Sequence, residues 1–318
     1  MNTQAPKPEI ICIGMSVVDV LVRGFQAPAP NSTEFVDEVR IHGGGDAYNQ
    51  AIALGHLGHR VALATRTGDD APGQILHTEC AAAGVDTSLT TITSEIPTIT
   101  SIALVGADAE RGFLTQRALA AHFPVSDNLA ATIAAGPRIL SVGSLCWSDG
   151  FDLEVLPDLL ATAQRAGSYT VADFTTDRDV PLASLTPLLT HLDCILPSLT
   201  EAAHLTGETE AEAIAAAFRA NGAHDVVIKL GAQGAVGFFG NDTIHVQPWR
   251  VSPVDTTGAG DNFVAGFVSG QLSGLDVPQS LRFGAATAAM ATTKIGGSGA
   301  LKSRAHVEDF IDAHSQAS

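Results

Sequence analysis

Residues 255–261 read DTTGAGD and run straight on into NFVAGFVSG, residues 262–270. The reading of this stretch decides the fold. Glycines let successive backbone N–H groups turn into one concavity, and the apolar run that follows has the look of a helix. A helix start adds unpaired N–H groups and the positive end of its dipole, so Gly258, Ala259 and Gly260 make a place for phosphate or for charge developing on phosphate. Asp261 stands at the mouth of that place. A carboxylate there would oppose a resting anion, but it suits phosphoryl transfer to an alcohol, which needs a base for the hydroxyl proton and donors for the moving group. Taken alone, the same residues fit a helix N-cap on a tight glycine turn equally well.

Working outward, the expected rhythm is strand and helix in alternation. Residues 9–22, EIICIGMSVVDVLV, read as one buried strand with a single odd polar residue, Asp19. A helix follows over DAYNQAIALGHLG with Gly58 as its stop, then the strand HRVALATRTG, then a helix with Pro72 in its first turn and Gly84 beyond its end. The strands RILSVGSL, YTVADF, DCILPS and DVVIKLG alternate with helical stretches at 151–166, 181–190 and 199–221, the last containing a capping-box pattern at Thr209 and Glu212. A hairpin, AVGFFG with TIHVQP, precedes the glycine turn, and helices at 278–294 and 305–314 follow it. Apolar strands alternating with helices imply a mostly parallel sheet covered on both faces. Residues 31–42 and 98–117 are β-rich and polar and read as an exposed antiparallel patch on that domain.

A net charge of −17 repels nucleic acid and anionic membrane surfaces, so neither is an expected partner. The four cysteines, Cys12, Cys80, Cys146 and Cys194, lie far apart and read as buried free thiols. The N-terminal stretch MNTQAPKPE has no apolar core of a secretion signal, and no apolar run has the length of a membrane span, so a cytoplasmic location is expected. The chain has no GxxxxGK[ST] motif, the turn fails the third glycine of GxGxxG, and ADFTTD is not a kinase DFG loop. His56 and His59 are expected to cap carbonyls at the first helix end. Trp147 is expected to pack, and Arg111 and Arg117 to be solvated.

DTTGAGDNFVAGF resembles the C-terminal signature of the ribokinase-like (PfkB) carbohydrate kinases, and GGGDAYNQAIALGHLG, residues 43–58, resembles their N-terminal signature. The resemblance runs from about residue 9 to residue 312. It implies one domain over 1–318, a three-layer α/β/α sandwich with a small β-sheet lid over about 20–42 and 95–120, and transfer of the γ-phosphoryl of ATP to a sugar or nucleoside hydroxyl with Mg²⁺. It makes Asp261 the catalytic base and Gly258, Ala259 and Gly260 the anion hole. Asp19, Gly44, Gly45, Asp46 and Asn49 match its substrate positions. Lys229, Gly231 and Gly234 resemble its nucleotide loop, while Asp255 and Thr257 resemble loops that hold a monovalent cation, K⁺, in some members. In PSLTE, Glu201 corresponds to the residue that organises Mg²⁺ waters. Ser198 replaces an asparagine common in the family, which alters the expected phosphate network. Near ADFTTDRD, Asp173 remains, the family's Asn is absent and Arg178 is displaced by one position.

The implied substrate is a neutral furanose or ketose, then a sugar acid or nucleoside. A sugar-binding sensor without catalysis is the rival from another class, kept alive by Ser198 and opposed by an intact Asp261. An exposed β-lid also implies a homodimer through 31–42 and 98–117.

Overall fold

The computed structural model describes residues 7–106, 111–116, 125–146, 154–175, 179–297 and 300–315. Trp147, Arg117 and Arg178 lie outside the described residues, as does the Arg111 side chain.

The apolar run at 9–22 is two strands rather than one. β1 (Ile10–Ile13) stops at Gly14, and β2 (Val17–Arg23) belongs to another sheet. Gly14 takes φ +145°, and a Cβ there would meet Gly143 O at 2.4 Å, so only glycine fits this bend. Hydrophobicity continues across the bend because both segments are half or fully buried, which hid the break in the sequence.

β3 (Glu38–Gly44) returns along β2 and feeds α1 (Asp46–His56), followed by β4 (Val61–Ala64) and β5 (Arg66–Gly68). α2 (Ala71–Ala82) is capped by Asp70 and has Pro72 in its first turn. β6 (Thr91–Thr93), β7 (Thr100–Val105), β8 (Arg111–Thr115) and α3 (Asp127–Ala134) complete the first half. β9 (Ile139–Leu145), α4 (Leu156–Arg165), β10 (Tyr169–Phe174), α5 (Thr186–Leu189) and β11 (Cys194–Ile195) keep the expected alternation.

The stretch expected as a single helix at 199–221 is α6 (Leu199–Thr206) and α7 (Ala211–Ala220), separated where Gly207 adopts φ +75°. Its capping box also sits elsewhere. Ser198 and Glu201 form it at the start of α6, whereas Glu210, with no side-chain cap bond, precedes α7. β12 (Asp225–Lys229), β13 (Ala235–Phe239) and β14 (Asp242–Val246) follow, then α8 (Ala259–Leu272), α9 (Val277–Ala291) and α10 (Arg304–Ser315). No strand leads directly into the glycine turn: β14 ends at Val246, and the chain between it and α8 is irregular.

The eight-stranded sheet has the order β14-β13-β12-β11-β10-β9-β1-β4, with every pairing parallel except β12–β13 and β13–β14, so β13 alone runs against the rest. Alternate residues of β1 separate the two cores. Ile10 and Cys12 join Phe263 and Phe267 of α8, while Ile11 and Ile13 join Leu160 of α4 and Phe218 of α7. Helices therefore cover both faces, giving three layers. A second, four-stranded sheet of order β3-β2-β7-β8 stands apart from it. All four cysteines are buried. Among the described residues, no helix is long and apolar enough to cross a membrane.

Candidate active site

Gly258 adopts φ +71° and caps α8, and a Cβ on it would stand 2.5 Å from Gly297 O. Ala259 and Gly260 are thus the first helical residues rather than free loop. The Ala259 amide closes weakly on Thr256 O at 3.2 Å. Asn262, fully buried, braces the turn: its Nδ2 donates to Gly258 O at 2.7 Å and to Gly297 O. The sequence reading missed Asn262, although an amide directly after the carboxylate of a glycine turn is a visible signal.

Asp261 is 7 % exposed and accepts a 2.7 Å bond from Asn49 Nδ2. Burial pushes its carboxyl well above the usual carboxylate range, the nearby charges of Asp46 and Asp173 push the same way, and Asn49 and Lys229 oppose them. Asp46, half-buried at the start of α1, is held by one of its two oxygens. Its Oδ2 accepts from Ser144 Oγ at 2.9 Å and Thr175 Oγ1 at 2.7 Å. Ser144 reaches it from a left-handed φ of +64° at the end of β9, a conformation rare for a side chain-bearing residue.

Below the turn, Lys229 Nζ lies 2.5 Å from Asp173 Oδ2, and both side chains are nearly buried, at 11 % and 4 % exposure. A Cβ on Gly260 would sit 2.9 Å from Lys229 Nζ, so the glycine makes room for the ammonium. Burial drives the Asp173 carboxyl up to about 7 against the pull of Lys229. Burial alone would lower Lys229, but Asp173 and then Glu201 outweigh it and hold the ammonium up. The end of β12 positions this lysine, with its amide on Pro197 O at 2.9 Å. Its contact with Asp173 joins residues 56 apart, which no local pattern reveals.

Glu201 Oε2 accepts from Ser198 N at 2.7 Å, and Ser198 Oγ accepts from Glu201 N at 3.3 Å. This cap occupies one carboxylate oxygen of Glu201. The Leu230–Gly234 loop is a tight turn closed by Leu230 N on Gly234 O at 2.8 Å. Gly234 takes φ +91°, and a Cβ there would meet Val246 O at 2.0 Å. Asp255 ties two loops together: Oδ1 accepts from Thr257 N and Oγ1 in its own loop, and Oδ2 accepts from Gly296 N, in the turn after α9, at 3.1 Å.

On the four-stranded sheet, Asp19 leans over Gly44, where a Cβ would touch its Oδ2 at 2.1 Å. Burial raises the Asp19 carboxyl, His42 lowers it and Asp255 raises it, so this sheet face looks toward the loop that carries the glycine turn. Gly45, at φ +94°, is the N-cap position of α1. His59 Nε2 lies 2.8 Å from Ser269 Oγ instead of capping a carbonyl, because the ring turns toward α8. The structure thus gathers Asp46, Asn49, Asp173, Glu201, Lys229 and Asp261 into one charged cluster beside Gly258–Gly260. Asp19 and the Gly231–Gly234 loop stand apart from its direct contacts.

The family described as pfkB family carbohydrate kinase matches residues 7–304. A ribokinase of Haemophilus influenzae is 30% identical over 292 residues, covering 89% of this chain and 92% of its own length. A fructoselysine 6-kinase of Shigella flexneri is 32% identical over 247 residues, covering 77% of this chain and 88% of its own. The solved structure of Arabidopsis thaliana ribokinase complexed with ribose and ATP has a TM-score of 0.85 at 24% identity, covering 96% of this chain and 99% of that one. The chain belongs to the pfkB family of carbohydrate kinases, phosphotransferases that act on an alcohol group.

Proposed function

We propose that this chain transfers the γ-phosphoryl of ATP to a hydroxyl of a small sugar, with Asp261 as the general base. The observation that carries the reading is the buried Asp261 carboxylate, anchored by Asn49 and placed in the first turn of α8 beside Gly258–Gly260. Asp261 accepts the proton of the attacking hydroxyl. The amides at the head of α8 face charge developing on the moving group, where the helix dipole favours it. Lys229, held by Asp173 beneath Gly260, adds a fixed positive charge beside the turn. Glu201 has a carboxylate oxygen beyond its cap to orient water on Mg²⁺. Among the described residues no cluster of three or more His, Cys, Asp or Glu is arranged to hold a metal directly, which suits a water- and phosphate-ligated Mg²⁺. When bound, MgATP supplies the phosphoryl group and screens its oxygens.

The Leu230–Gly234 turn and Ser198 are the proposed nucleotide edge, and Asp255 with Thr257 the proposed neighbourhood of a monovalent cation. The four-stranded sheet acts as a lid over the sugar, with Asp19, Gly44 and Gly45 at its root. Lid closure excludes water and limits wasteful hydrolysis of ATP. The lid's far face is apolar: Val20 pairs with Ile41 and Ile102, and Ile102 with Leu114. Val39, Ile41 and Leu114 are more than half exposed. A second copy of the chain is the proposed cover for this face, since so apolar a patch is costly in water.

The test is ADP release from MgATP over a panel of ketoses, aldoses, sugar acids and nucleosides, with Asp261→Asn beside the parent. Stimulation by a sugar that the variant loses supports the reading. Sugar binding with no stimulated release in the parent overturns it.

A further inference from the structure

One carboxylate on α2 holds the first signature from outside. Glu79, half-buried, accepts two hydrogen bonds on the same oxygen, Oε2: from Gly43 N at 2.9 Å and from the Tyr48 hydroxyl at 2.5 Å. Gly43 lies at the end of β3 and Tyr48 in the first turn of α1. A single atom thus ties the last residues of a lid strand to the helix they lead into. The Tyr48 ring passes so close to Gly43 that a Cβ there would stand 2.3 Å from its Cζ, so only glycine leaves room for it. Tyr48 is buried, and burial followed by the Glu79 bond raises its phenol, which stays a donor.

β3 is otherwise lightly held. Among the described residues it is an edge strand, and Val39, Arg40 and Ile41 are exposed. The Gly43 amide turns to α2 for its acceptor, on the flank where a further strand would pair. The same flank opens on a cavity of about 490 Å³ lined by Ile41, Ile52, Ala83 and Ile295, so little packing supports the strand there. α1 is held differently. Residues 47–54 are all buried, and that packing keeps Asn49 on Asp261. Loss of the Glu79 bonds would therefore free the root of the lid and leave the base oriented. The root is where Asp19 overhangs Gly44 and where Gly45 turns into α1.

We infer that Glu79, acting through Gly43 and Tyr48, is a positioning residue that sets the root of the four-stranded sheet for the acceptor sugar. This rests on the sugar-kinase reading above and adds to it a residue outside both family signatures.

The experiment compares the parent with Glu79→Leu, Glu79→Gln and Tyr48→Phe. Leucine fills the space but accepts nothing, glutamine keeps an oxygen for both donors, and phenylalanine removes one donor. Hydrogen exchange, read by mass spectrometry, is followed over residues 38–45, with 139–145 of the buried β9 as internal reference. Titration calorimetry with Mg²⁺ and a non-hydrolysable ATP analogue uses D-fructose, D-ribose, D-glucose and D-gluconate, and ADP release gives kcat and KM for the sugar that binds. In Glu79→Leu, exchange over 38–45 should quicken about tenfold and the sugar Kd and KM should rise about tenfold, the scale of one buried donor left unpaired. Binding of the ATP analogue should stay within about twofold of the parent and kcat within about threefold. Glu79→Gln should match the parent, and Tyr48→Phe should fall between. Unchanged exchange over 38–45 in Glu79→Leu, or faster exchange with an unchanged sugar Kd, overturns the inference alone and leaves phosphoryl transfer standing. Parallel losses in sugar affinity, ATP-analogue affinity and kcat, in step with a lowered melting temperature, also overturn it, since Glu79 would then serve only the fold. A parent that neither binds nor phosphorylates any of the sugars overturns the sugar-kinase reading, and the inference falls with it.

Discussion

Asn49 donates a 2.7 Å hydrogen bond to Asp261 across 212 residues of chain, joining the first turn of α1 to the first turn of α8. The two family signatures therefore meet at one carboxylate. One signature carries the acid and the other fixes its orientation, which is why neither is informative alone.

Removing the acid tests its role. Asp261→Asn keeps shape and one acceptor oxygen but abolishes proton acceptance, so kcat should fall by about 10² to 10⁴. Sugar and nucleotide affinities, measured by calorimetry, should change little. A kcat within threefold of the parent would remove Asp261 from the chemistry.

The pH profile should show the burial of this acid. Burial, Asp46 and Asp173 raise its pKa, so at a given pH it is more protonated than an ordinary carboxylate. Only the ionised form serves as a base, so kcat/KM should rise with pH through a limb lying above the usual value of about 4. Asn49 favours the ionised form, so Asn49→Ala should move the limb further up. A limb that stays at the ordinary carboxylate value in both proteins contradicts this.

Lys229 and Asp173 should behave as a pair. Lys229→Met leaves a buried carboxyl without its cation and should cost roughly 3–5 kcal/mol of stability. Adding Asp173→Asn should recover much of that loss in urea unfolding. If Lys229 serves nucleotide phosphate, the stable double variant should still show a raised KM for ATP, with sugar affinity unchanged. Recovery of the ATP KM along with stability would make the lysine purely structural.

Gly258 should tolerate no side chain. Alanine there must hold φ +71° and intrude on Gly297 O, so Gly258→Ala should lose about 1–3 kcal/mol and most activity. A melt matching the parent would show that the turn relaxes freely.

The apolar lid face should control association. Ile41→Glu puts a charge on the face shared by Val20, Ile102 and Leu114, opposite Asp19. Light scattering should show a dimer for the parent and a monomer for the variant. A monomeric parent at working concentration ends the dimer proposal.

The sequence revealed what is local. A glycine turn against a helix start and the alternation of apolar strands with helices carry their own geometry, so the turn and the parallel sheet could be read directly. Long-range partners could not. Asp173 was visible only as a remnant of a family pattern, and its hold on Lys229 depends on β10 and β12 ending at the same edge of the sheet. Two places with the spacing Ser/Thr-x-x-Glu competed for a cap. The one at Ser198, which the family resemblance ties to nucleotide and metal chemistry, also starts α6. The bend at Gly14 escaped because hydrophobicity registers burial and is blind to a change of sheet.

α8 carries the buried Asp261, and its Phe263 and Phe267 also pack into one of the two apolar cores. During synthesis on the ribosome, the lid strands and the first signature emerge long before this helix. Until it arrives, the core that α1 and α2 have begun to cover lacks Phe263 and Phe267, and Asn49 lacks its carboxylate partner. The segment that joins this core late in synthesis is thus also the one that completes the buried carboxylate cluster.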